Sequence, residues 1–305
     1  MIPGEASGVA RVLGATGWRA AGREVAVGEH RIFVVERDPR GAKDAPAILF
    51  LHGFPTSSLD WAPIVPPLLA RGLRLVFFDF LGFGFSSKPR GHAYSLFEQA
   101  DIAEAVARAA GLGRLHVVAH DMGDSVALEL VRREAFRARL RGLVLLNGSV
   151  LLDFYRPRLG QRLLRVPVLG AVFARLATRR LFVRQIASVF GPDTTPPRPV
   201  LDEMWDVIQV NGGARNYHRV IRYLDERKEH ERGWLEALGS SGVPLLLVWG
   251  EDDPVAVPRI ADEVKGYRPD ARLVRLAGVG HYPQMEDPDR VAGEIGAFVE
   301  KAGWP

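Results

Sequence analysis

Six short apolar runs, rich in β-branched side chains, recur along the chain, and each has the length of a strand buried on both faces. They cover residues 47–51, 73–78, 115–119, 143–146, 245–249 and 272–276. Ahead of them, residues 22–37 have the pattern of two further strands joined near Gly28-Glu29. We therefore expect a sheet whose central strands are buried and whose first two strands form a hairpin.

Helical patterns separate the buried strands. Apolar or small side chains recur at helical spacing over residues 96–110, 125–133 and 290–301. Strands that alternate with helices predict a parallel sheet with right-handed crossover connections. The expected fold class is therefore α/β, with a mostly parallel sheet flanked by helices.

The alternation stops between about residues 150 and 240 and resumes at Val243. This interval contains helical pieces rich in Leu and Arg over residues 159–164, 172–184, 205–209 and 216–231. We predict a helical cap inserted after the sixth strand, with residues 1–149 and 241–305 forming the core domain and residues 150–240 the cap. The apolar and arginine-rich stretch 166–190 leaves a peripheral membrane contact as an alternative, and we favour a cap packed on its core.

The amino-acid composition limits the kinds of functional site that the chain can contain. The chain has 305 residues and no cysteine, which excludes disulfides, thiolate nucleophiles and zinc–thiolate sites. It lacks both a long apolar run and a signal-peptide pattern, so we predict no membrane span and a cytoplasmic location. The net charge of +4 is spread along the chain, which favours a solvated surface over a nucleic-acid site. We expect a small-molecule substrate, no cofactor and no metal, and either a monomer or a homodimer.

The segment VVAHDMGDS has the pattern of a buried strand, a tight turn and a helix start, and Asp121 stands at the turn. Hydrolases of α/β architecture place their nucleophile on such a turn, which requires small residues two positions away on either side. Ala119 and Gly123 meet that requirement. A carboxylate in this position attacks saturated carbon and forms an ester with the enzyme. The alternative is an aspartate that caps the following helix.

A base and an acid are expected further along the chain, because the triad on this architecture runs nucleophile, acid, histidine. His281 and the acidic turn at 251–253 both follow buried strands, at the edge where parallel sheets bind ligands. We predict His281 as the base and Asp253, rather than Asp252, as the acid that orients it. The alternative for His281 is a turn histidine beside the last helix.

An oxyanion hole completes the expected site. The loop His-Gly-Phe-Pro follows the first buried strand, and its Phe54 is predicted to donate one backbone N–H, while Met122, after the nucleophile, donates the other. A cis bond before Pro55 would orient this loop. The glycines of residues 79–86 form only a weak phosphate-loop pattern, with no Lys-Ser/Thr after them, so we reject nucleotide binding.

Five strings together resemble the mesoderm-specific transcript branch of the α/β-hydrolases, which is close to the epoxide hydrolases. These strings are LHGFPTSSLDW, DFLGFGFSSKPRGHAYSLFEQA, HDMGDSVALEL, LDERKEHERGW and GHYPQMEDP, and the resemblance covers about residues 45 to 300. It implies an α/β-hydrolase core with a helical cap, Asp121 as nucleophile, Asp253 as acid and His281 as base. Haloalkane dehalogenases share that triad, so the resemblance alone leaves the substrate open.

The neighbours of Asp121 favour an epoxide among the substrates of aspartate hydrolases. Haloalkane dehalogenases hold the halide with side-chain N–H donors, which Phe54 and Met122 lack. Asp124 stands where related enzymes use arginine to bind a carboxylate, so we expect acidic substrates to be disfavoured. The alternative for Asp124 is an interaction with the positive end of its helix.

Epoxide hydrolases protonate the epoxide oxygen from tyrosines of the cap. Tyr223 is the best-placed donor, Tyr217 and His218 are close to it, and Tyr155 is the candidate for a first tyrosine. Trp205 is expected to help bind an apolar substrate. For each tyrosine the alternative is a packed aromatic ring.

Three other functions stay open from the sequence. They are a haloalkane-dehalogenase-type reaction, a non-catalytic relative that binds a ligand in the capped pocket, and a serine esterase acting through Ser125 or Ser86. We favour the epoxide hydrolase, because neither serine has the flanking residues of a nucleophile turn and because Asp121, Asp253 and His281 are all present.

Overall fold

The computed structural model describes residues 14–39 and 45–303. Its strands are β1 Gly22–Val27, β2 His30–Arg37, β3 Ala47–Leu51, β4 Arg74–Phe78, β5 Leu115–His120, β6 Leu140–Leu146, β7 Leu245–Gly250 and β8 Arg272–Leu276. They form one sheet in the order β1-β2-β4-β3-β5-β6-β7-β8. Strand β2 is antiparallel to β1 and β4, and the other neighbours are parallel. The predicted hairpin and the mostly parallel sheet are confirmed.

Helices cover both faces of this sheet. Before β6 they are α1 Ala15–Ala20, α2 Val65–Ala70, α3 Leu96–Ala109, α4 Met122–Arg132 and α5 Glu134–Arg137. In β3, Leu49 and Leu51 pack in the cluster that includes α3 and α4, whereas Ile48 and Phe50 pack in the cluster that includes α1 and α2. Successive side chains of a strand point to opposite faces, so a strand covered on both faces is apolar along its whole length.

The chain between β6 and β7 forms helices α6 Leu159–Arg165, α7 Leu169–Leu176, α8 Arg179–Ala187, α9 Arg198–Gln209, α10 Tyr217–Val220 and α11 Tyr223–Ser240. Helix α11 packs on α4, where the indole N–H of Trp234 donates a 2.9 Å hydrogen bond to Glu129. The helices after β7 are α12 Arg259–Tyr267, α13 Pro283–Glu286 and α14 Pro288–Ala302. The helical character of the inserted segment is thus confirmed, while its division from the core at residues 150 and 240 stays a prediction.

Three predicted cap helices are wrong in extent, and a helix of the core begins earlier than expected. The helix predicted over residues 205–209 begins at Arg198, as α9. Residues 172–184 form α7 and α8 rather than one helix, and residues 216–231 are divided between α10 and α11, which continues to Ser240. Apolar periodicity carries across a short break, so it does not show where one helix ends. Helix α4 begins at Met122, directly after the turn, and not at Ser125.

No helix of the described residues combines the length and the apolar character needed to cross a membrane.

Candidate active site

Asp121 lies in the turn between β5 and α4, at the carboxyl end of a central strand. Its backbone has φ 52° and ψ −109°, a conformation that is uncommon for residues other than glycine. A Cβ at Gly123 would lie 2.4 Å from the carbonyl oxygen of Leu51, which explains the need for a small residue there. Within the described chain the Asp121 side chain makes no capping hydrogen bond to α4, so the helix-cap alternative is wrong.

The Asp121 carboxylate is instead held from the loop after β3. Its Oδ1 accepts a 2.9 Å hydrogen bond from the backbone N–H of Phe54, and the bond between Phe54 and Pro55 is cis. Its Oδ2 faces Nε2 of His281 at 3.6 Å. Met122 is the first residue of α4, so its backbone N–H has no acceptor within the helix. The two oxygens of Asp121 therefore have different surroundings.

His281 is hydrogen-bonded to Asp253, the residue predicted to orient it. Its Nδ1 lies 2.7 Å from Oδ2 of Asp253, and both side chains are buried. The other oxygen of Asp253 accepts hydrogen bonds from the backbone N–H groups of Val255 at 2.7 Å and Ala256 at 3.1 Å. Asp252, by contrast, is exposed. The structure thus brings Asp121, His281 and Asp253 together in one line, in which His281 is hydrogen-bonded to Asp253 and lies at ion-pair distance from Asp121.

Two buried polar residues that the sequence analysis did not identify support this line. Asn147 donates from Nδ2 to Asp253 at 2.7 Å and accepts from the backbone N–H of Gly250 at 3.0 Å. His120 bonds the carbonyl oxygen of His281 through Nε2 at 2.7 Å, so this nitrogen carries the proton. Both stand at the carboxyl end of a central strand, which is the signal that would have found them.

Asp121 and His281 favour opposite charges. Burial alone would raise the pKa of Asp121, but contact with His281 and the charge of Arg227 lower it to about 2. Burial alone would lower the pKa of His281, but the charge of Asp253 and contact with Asp121 raise it to about 10. At neutral pH the site therefore holds a carboxylate beside an imidazolium, and the two groups titrate as a pair.

Three buried polar side chains of the inserted segment, Tyr155, Tyr223 and Arg227, interact electrostatically with Asp121, and the sequence analysis did not identify Arg227. The side chain of Arg227 is fully buried, and its Nε donates a 2.9 Å hydrogen bond to Ser125 in the first turn of α4. Among the described residues, Nη1 and Nη2 of Arg227 and the hydroxyls of Tyr155 and Tyr223 have no hydrogen-bond partner. The charge of Asp121 helps to raise the pKa of both tyrosines, in addition to the larger effect of burial.

Asp124 is also buried, and its surroundings disfavour the charge that the sequence analysis assigned to it. Burial, followed by the neighbouring charge of Asp121, raises the pKa of Asp124 well above its ordinary value. This shift weakens the like-charge argument against acidic substrates, and their exclusion stays a prediction.

An apolar cavity of about 120 Å³ lies between the cap helices and the core. Phe54 and His281 both line it, so the cavity reaches the groups in contact with Asp121. Trp205 and Tyr217 also line it, and the Tyr217 hydroxyl donates to the carbonyl oxygen of Pro55 at 2.6 Å. His218 lies outside this cavity, on the surface, where its ring contacts the carbonyl oxygen of Arg215.

One group of side chains in the described part of the chain has the composition of a metal site. His30, His92 and Glu98 offer ligand atoms that lie within 4.8 Å of one another. His92 already bonds both oxygens of Glu98, at 2.7 and 2.9 Å. None of the three lines the cavity, so this group plays no part in the arrangement around Asp121.

Comparison with known proteins agrees with this architecture. Residues 46–288 match a family model described as alpha/beta hydrolase fold. The chain is 41% identical to a putative hydrolase, LipZ, of Mycobacterium tuberculosis over 278 residues, covering 90% of this chain and 94% of that protein. It is 38% identical to the mesoderm-specific transcript protein of Mus musculus over 281 residues, covering 89% of this chain and 83% of that protein. The resemblance seen in the sequence is thereby confirmed.

A solved structure shows the same fold at lower identity. The haloalkane dehalogenase DbeA from Bradyrhizobium elkani aligns with a TM-score of 0.78 at 24% identity, covering 92% of this chain and 98% of that chain. The chain belongs to the alpha/beta hydrolase fold family, among relatives that include LipZ and the mesoderm-specific transcript proteins.

Proposed function

We propose that the protein is an epoxide hydrolase that acts on mainly apolar substrates through a covalent ester of Asp121. The observation that carries the proposal is the asymmetry of the Asp121 carboxylate. Oδ1 accepts the Phe54 N–H, and Oδ2 has no hydrogen-bond partner among the described residues while it faces His281 at 3.6 Å. One oxygen is thus available to attack carbon, and the other is positioned to become the carbonyl oxygen of an ester.

In the first step Oδ2 of Asp121 attacks one carbon of the epoxide, and the bond between that carbon and the epoxide oxygen breaks. Attack requires an ionised carboxylate, and the lowered pKa of Asp121 meets this requirement at neutral pH. The electron pair of the broken bond stays on the epoxide oxygen as a developing alkoxide. That alkoxide needs a proton donor, because it is otherwise a poor leaving group.

Tyr155 and Tyr223 are the proposed proton donors. Both are buried, and neither hydroxyl has an acceptor among the residues that the structure describes. A buried hydroxyl without a partner is costly, so a substrate oxygen that accepts from it gains binding energy. Tyr217 is the weaker candidate because its hydroxyl already bonds Pro55. Trp205 and the Tyr217 ring are proposed to contact the apolar part of the substrate.

In the second step water attacks the ester carbonyl of Asp121, and His281 takes the proton of that water. The ester carries no negative charge, so one of the causes that raise the pKa of His281 is lost when it forms. After alkylation His281 gives its proton to the tyrosine that protonated the epoxide oxygen, and the neutral imidazole then acts as the base. Asp253 stabilises the imidazolium that forms when His281 takes a proton from the water, and the N–H groups of Phe54 and Met122 hold the oxyanion on Oδ1. The oxyanion then collapses, the bond between the Asp121 carbonyl carbon and the substrate oxygen breaks, and the diol leaves with the proton from His281. The second proton of the water passes from the Asp121 carboxyl to His281, which restores the carboxylate and the imidazolium.

The alternatives have less support. A halide would need side-chain donors beside Asp121, and Phe54 and Met122 provide none. Ser125 accepts from Arg227, and the hydroxyl of Ser86 donates to the carbonyl oxygen of Asp79, so both serines make structural hydrogen bonds. A ligand-binding protein without activity would not require the line of Asp121, His281 and Asp253.

The test is a single turnover of a styrene-type or long-chain epoxide in water enriched in ¹⁸O, with enzyme in excess. We expect the label in the Asp121 carboxylate and an unlabelled diol, because water attacks the enzyme ester and not the substrate. Peptide mass spectrometry locates the label. Label in the diol, with none in Asp121, would mean that water attacks the epoxide directly.

Two variants complete the test. His281→Gln is expected to accumulate the ester, seen as added mass on the intact protein, and Asp121→Asn is expected to form neither ester nor diol. A parallel assay with bromoalkanes distinguishes the dehalogenase reaction, since halide release without diol formation from epoxides contradicts the proposal. Activity on nitrophenyl esters that survives Asp121→Asn would indicate a serine esterase.

A further inference from the structure

One face of the inserted segment presents large apolar side chains to solvent. Seven large apolar residues are strongly exposed in the described chain, and six of them lie between residues 159 and 176. They are Leu159, Val166, Val168, Leu169, Val172 and Leu176, and we call them the cap face. Single exposed apolar residues are ordinary, but a cluster of this kind marks a surface that binds something.

At Val168, in the middle of the cap face, the backbone is strained and the side chain is exposed to solvent. Val168 has φ 63° and ψ −56°, a region that β-branched residues rarely adopt. Its side chain is 80% exposed, so no packing contact of its own explains the conformation. Strain of this kind is often found at sites of function.

The segment that contains the cap face is strongly basic. Residues 154–192 contain eight arginines and no acidic residue, which leaves 32 basic and 36 acidic side chains in the rest of the chain. Only Arg165 and Arg179 of these eight form ion pairs with described residues, with Asp225 and Asp206. The net positive charge, which the sequence analysis described as spread along the chain, is therefore carried by the segment that contains the cap face.

The exposed apolar side chains and the arginines around them together favour one kind of binding partner over another. A second copy of the chain, pairing through the same face, would bring two strongly basic segments together, and like charges repel. The surface of a bilayer with anionic phospholipids offers negative headgroups for the arginines and an apolar layer for the side chains between them. Helices that lie at such a surface carry basic residues and large apolar residues in this way.

We propose that the cap face docks on the surface of a bilayer that contains anionic phospholipids. Helices α6 and α7 would lie between the bilayer and the cavity. They contribute to the cap face on one side, and their residues Leu164, Phe173 and Ala174 line the cavity on the other. A docked cap places one wall of the apolar cavity next to the lipid, which suits a substrate that partitions into membranes. The docking itself does not depend on the reaction proposed above.

The test is vesicle flotation of the full chain, with phosphatidylcholine vesicles and with phosphatidylcholine vesicles that contain phosphatidylglycerol. We expect binding to the anionic vesicles and little binding to the neutral ones. The double variant Val168→Asp, Leu169→Asp is expected to lose at least about tenfold in partition coefficient, because two charges replace two inserted apolar side chains. Tyr267→Asp is the matched control, since Tyr267 is the remaining exposed large apolar residue among those described and lies on α12.

The charge is tested separately with Arg175→Gln and Arg180→Gln. Each is expected to weaken partition to anionic vesicles about fivefold, and added salt is expected to weaken it further. Arg108→Gln, on the core helix α3, serves as the control and is expected to bind like the unaltered chain. Circular dichroism confirms that each variant folds.

Three outcomes would overturn the proposal. They are equal affinity for neutral and anionic vesicles, unchanged binding in the Val168→Asp, Leu169→Asp variant, and no binding to either vesicle. If the chain fails to bind vesicles and instead forms a dimer that Val168→Asp dissociates in sedimentation equilibrium, the occupant of the cap face is a second copy.

Discussion

Gly123 is the residue whose size most directly constrains the turn at Asp121. A Cβ there would lie 2.4 Å from the Leu51 carbonyl oxygen and 2.8 Å from that of His52. Both atoms belong to the backbone of the strand end and the loop that carries Phe54, so neither can move without disturbing Oδ1 of Asp121. The size of one side chain therefore affects both stability and the geometry of the carboxylate.

Gly123→Ala is expected to lower the free energy of unfolding by about 1–3 kcal/mol through overpacking against this backbone. It should also abolish most ester formation. Urea denaturation measures the first effect and intact-protein mass spectrometry the second. Gly293→Ala is the control, because its Cβ would meet no atom within 4 Å and alanine favours the helix α14. If both variants unfold alike, the close approach at Gly123 is not limiting.

Arg227 acts on Asp121 through its charge. Since the positive charge lowers the pKa of Asp121, Arg227→Met is expected to raise that pKa. The rate of ester formation then falls at acid pH. In a plot of this rate against pH, the acid limb lies at higher pH than in the unaltered enzyme. Single-turnover rates between about pH 4 and 7 measure this shift.

Arg227→Lys is the matched control for this prediction, because it keeps the charge and loses the hydrogen bond to Ser125. Its acid limb is expected to stay close to that of the unaltered enzyme. An equal displacement in both variants would show that the hydrogen bond, and not the charge, controls Asp121.

At the scale of elements, the ends of helices depend on single polar side chains. Thr178 separates α7 from α8, and its Oγ1 accepts from the backbone N–H of Leu181. The apolar spacing of residues 172–184 crosses this point without change, which is why periodicity predicted one helix. The break allows α7 and α8 to change direction around the cavity that both helices line.

Thr178→Ala is expected to lower the free energy of unfolding by about 1 kcal/mol, since it removes the N-cap of α8. Thr178→Ser keeps the hydroxyl and should be nearly neutral. Thermal or urea unfolding compares the two. Equal stability of the alanine and serine variants would contradict a capping role.

At the scale of the whole molecule, a buried acid makes stability depend on pH. Asp60 is 2% exposed and bonds the hydroxyl of Thr56. Burial raises its pKa from 3.8 to about 8, against the opposing hydrogen bond from Thr56. Between these two values the folded chain holds a proton that the unfolded chain lacks, so stability is fully present below about pH 4 and is lost as pH rises toward 8.

Asp60→Asn is expected to remove this contribution. In the unaltered protein, Asp60 should make the free energy of unfolding fall by about 1 kcal/mol per pH unit between about pH 4 and 8. This fall should be absent in the variant. Urea denaturation at several pH values measures the slope. Asp193→Asn, in an exposed turn, is the control. A slope that is the same in all three proteins would show that Asp60 does not titrate in this range.

What the sequence by itself determined is local. Strand β3 and strand β8 have the predicted bounds, and the spacing around Asp121 predicted its turn, because side-chain periodicity and turn chemistry act over a few residues. The choice of Asp253 over Asp252 followed in the same way from position along a single turn. These features need no knowledge of which distant segments meet.

Only the tertiary structure decided what surrounds the carboxylate. Arg227 is 102 residues from its partner Ser125, and Asn147 is 106 residues from Asp253. Such contacts depend on how the inserted helices pack on the core, and burial then raises the pKa of groups such as Asp124. Packing also engaged the hydroxyl of Tyr217 and left those of Tyr155 and Tyr223 without a partner among the described residues, a distinction that the spacing of tyrosines along the chain does not contain.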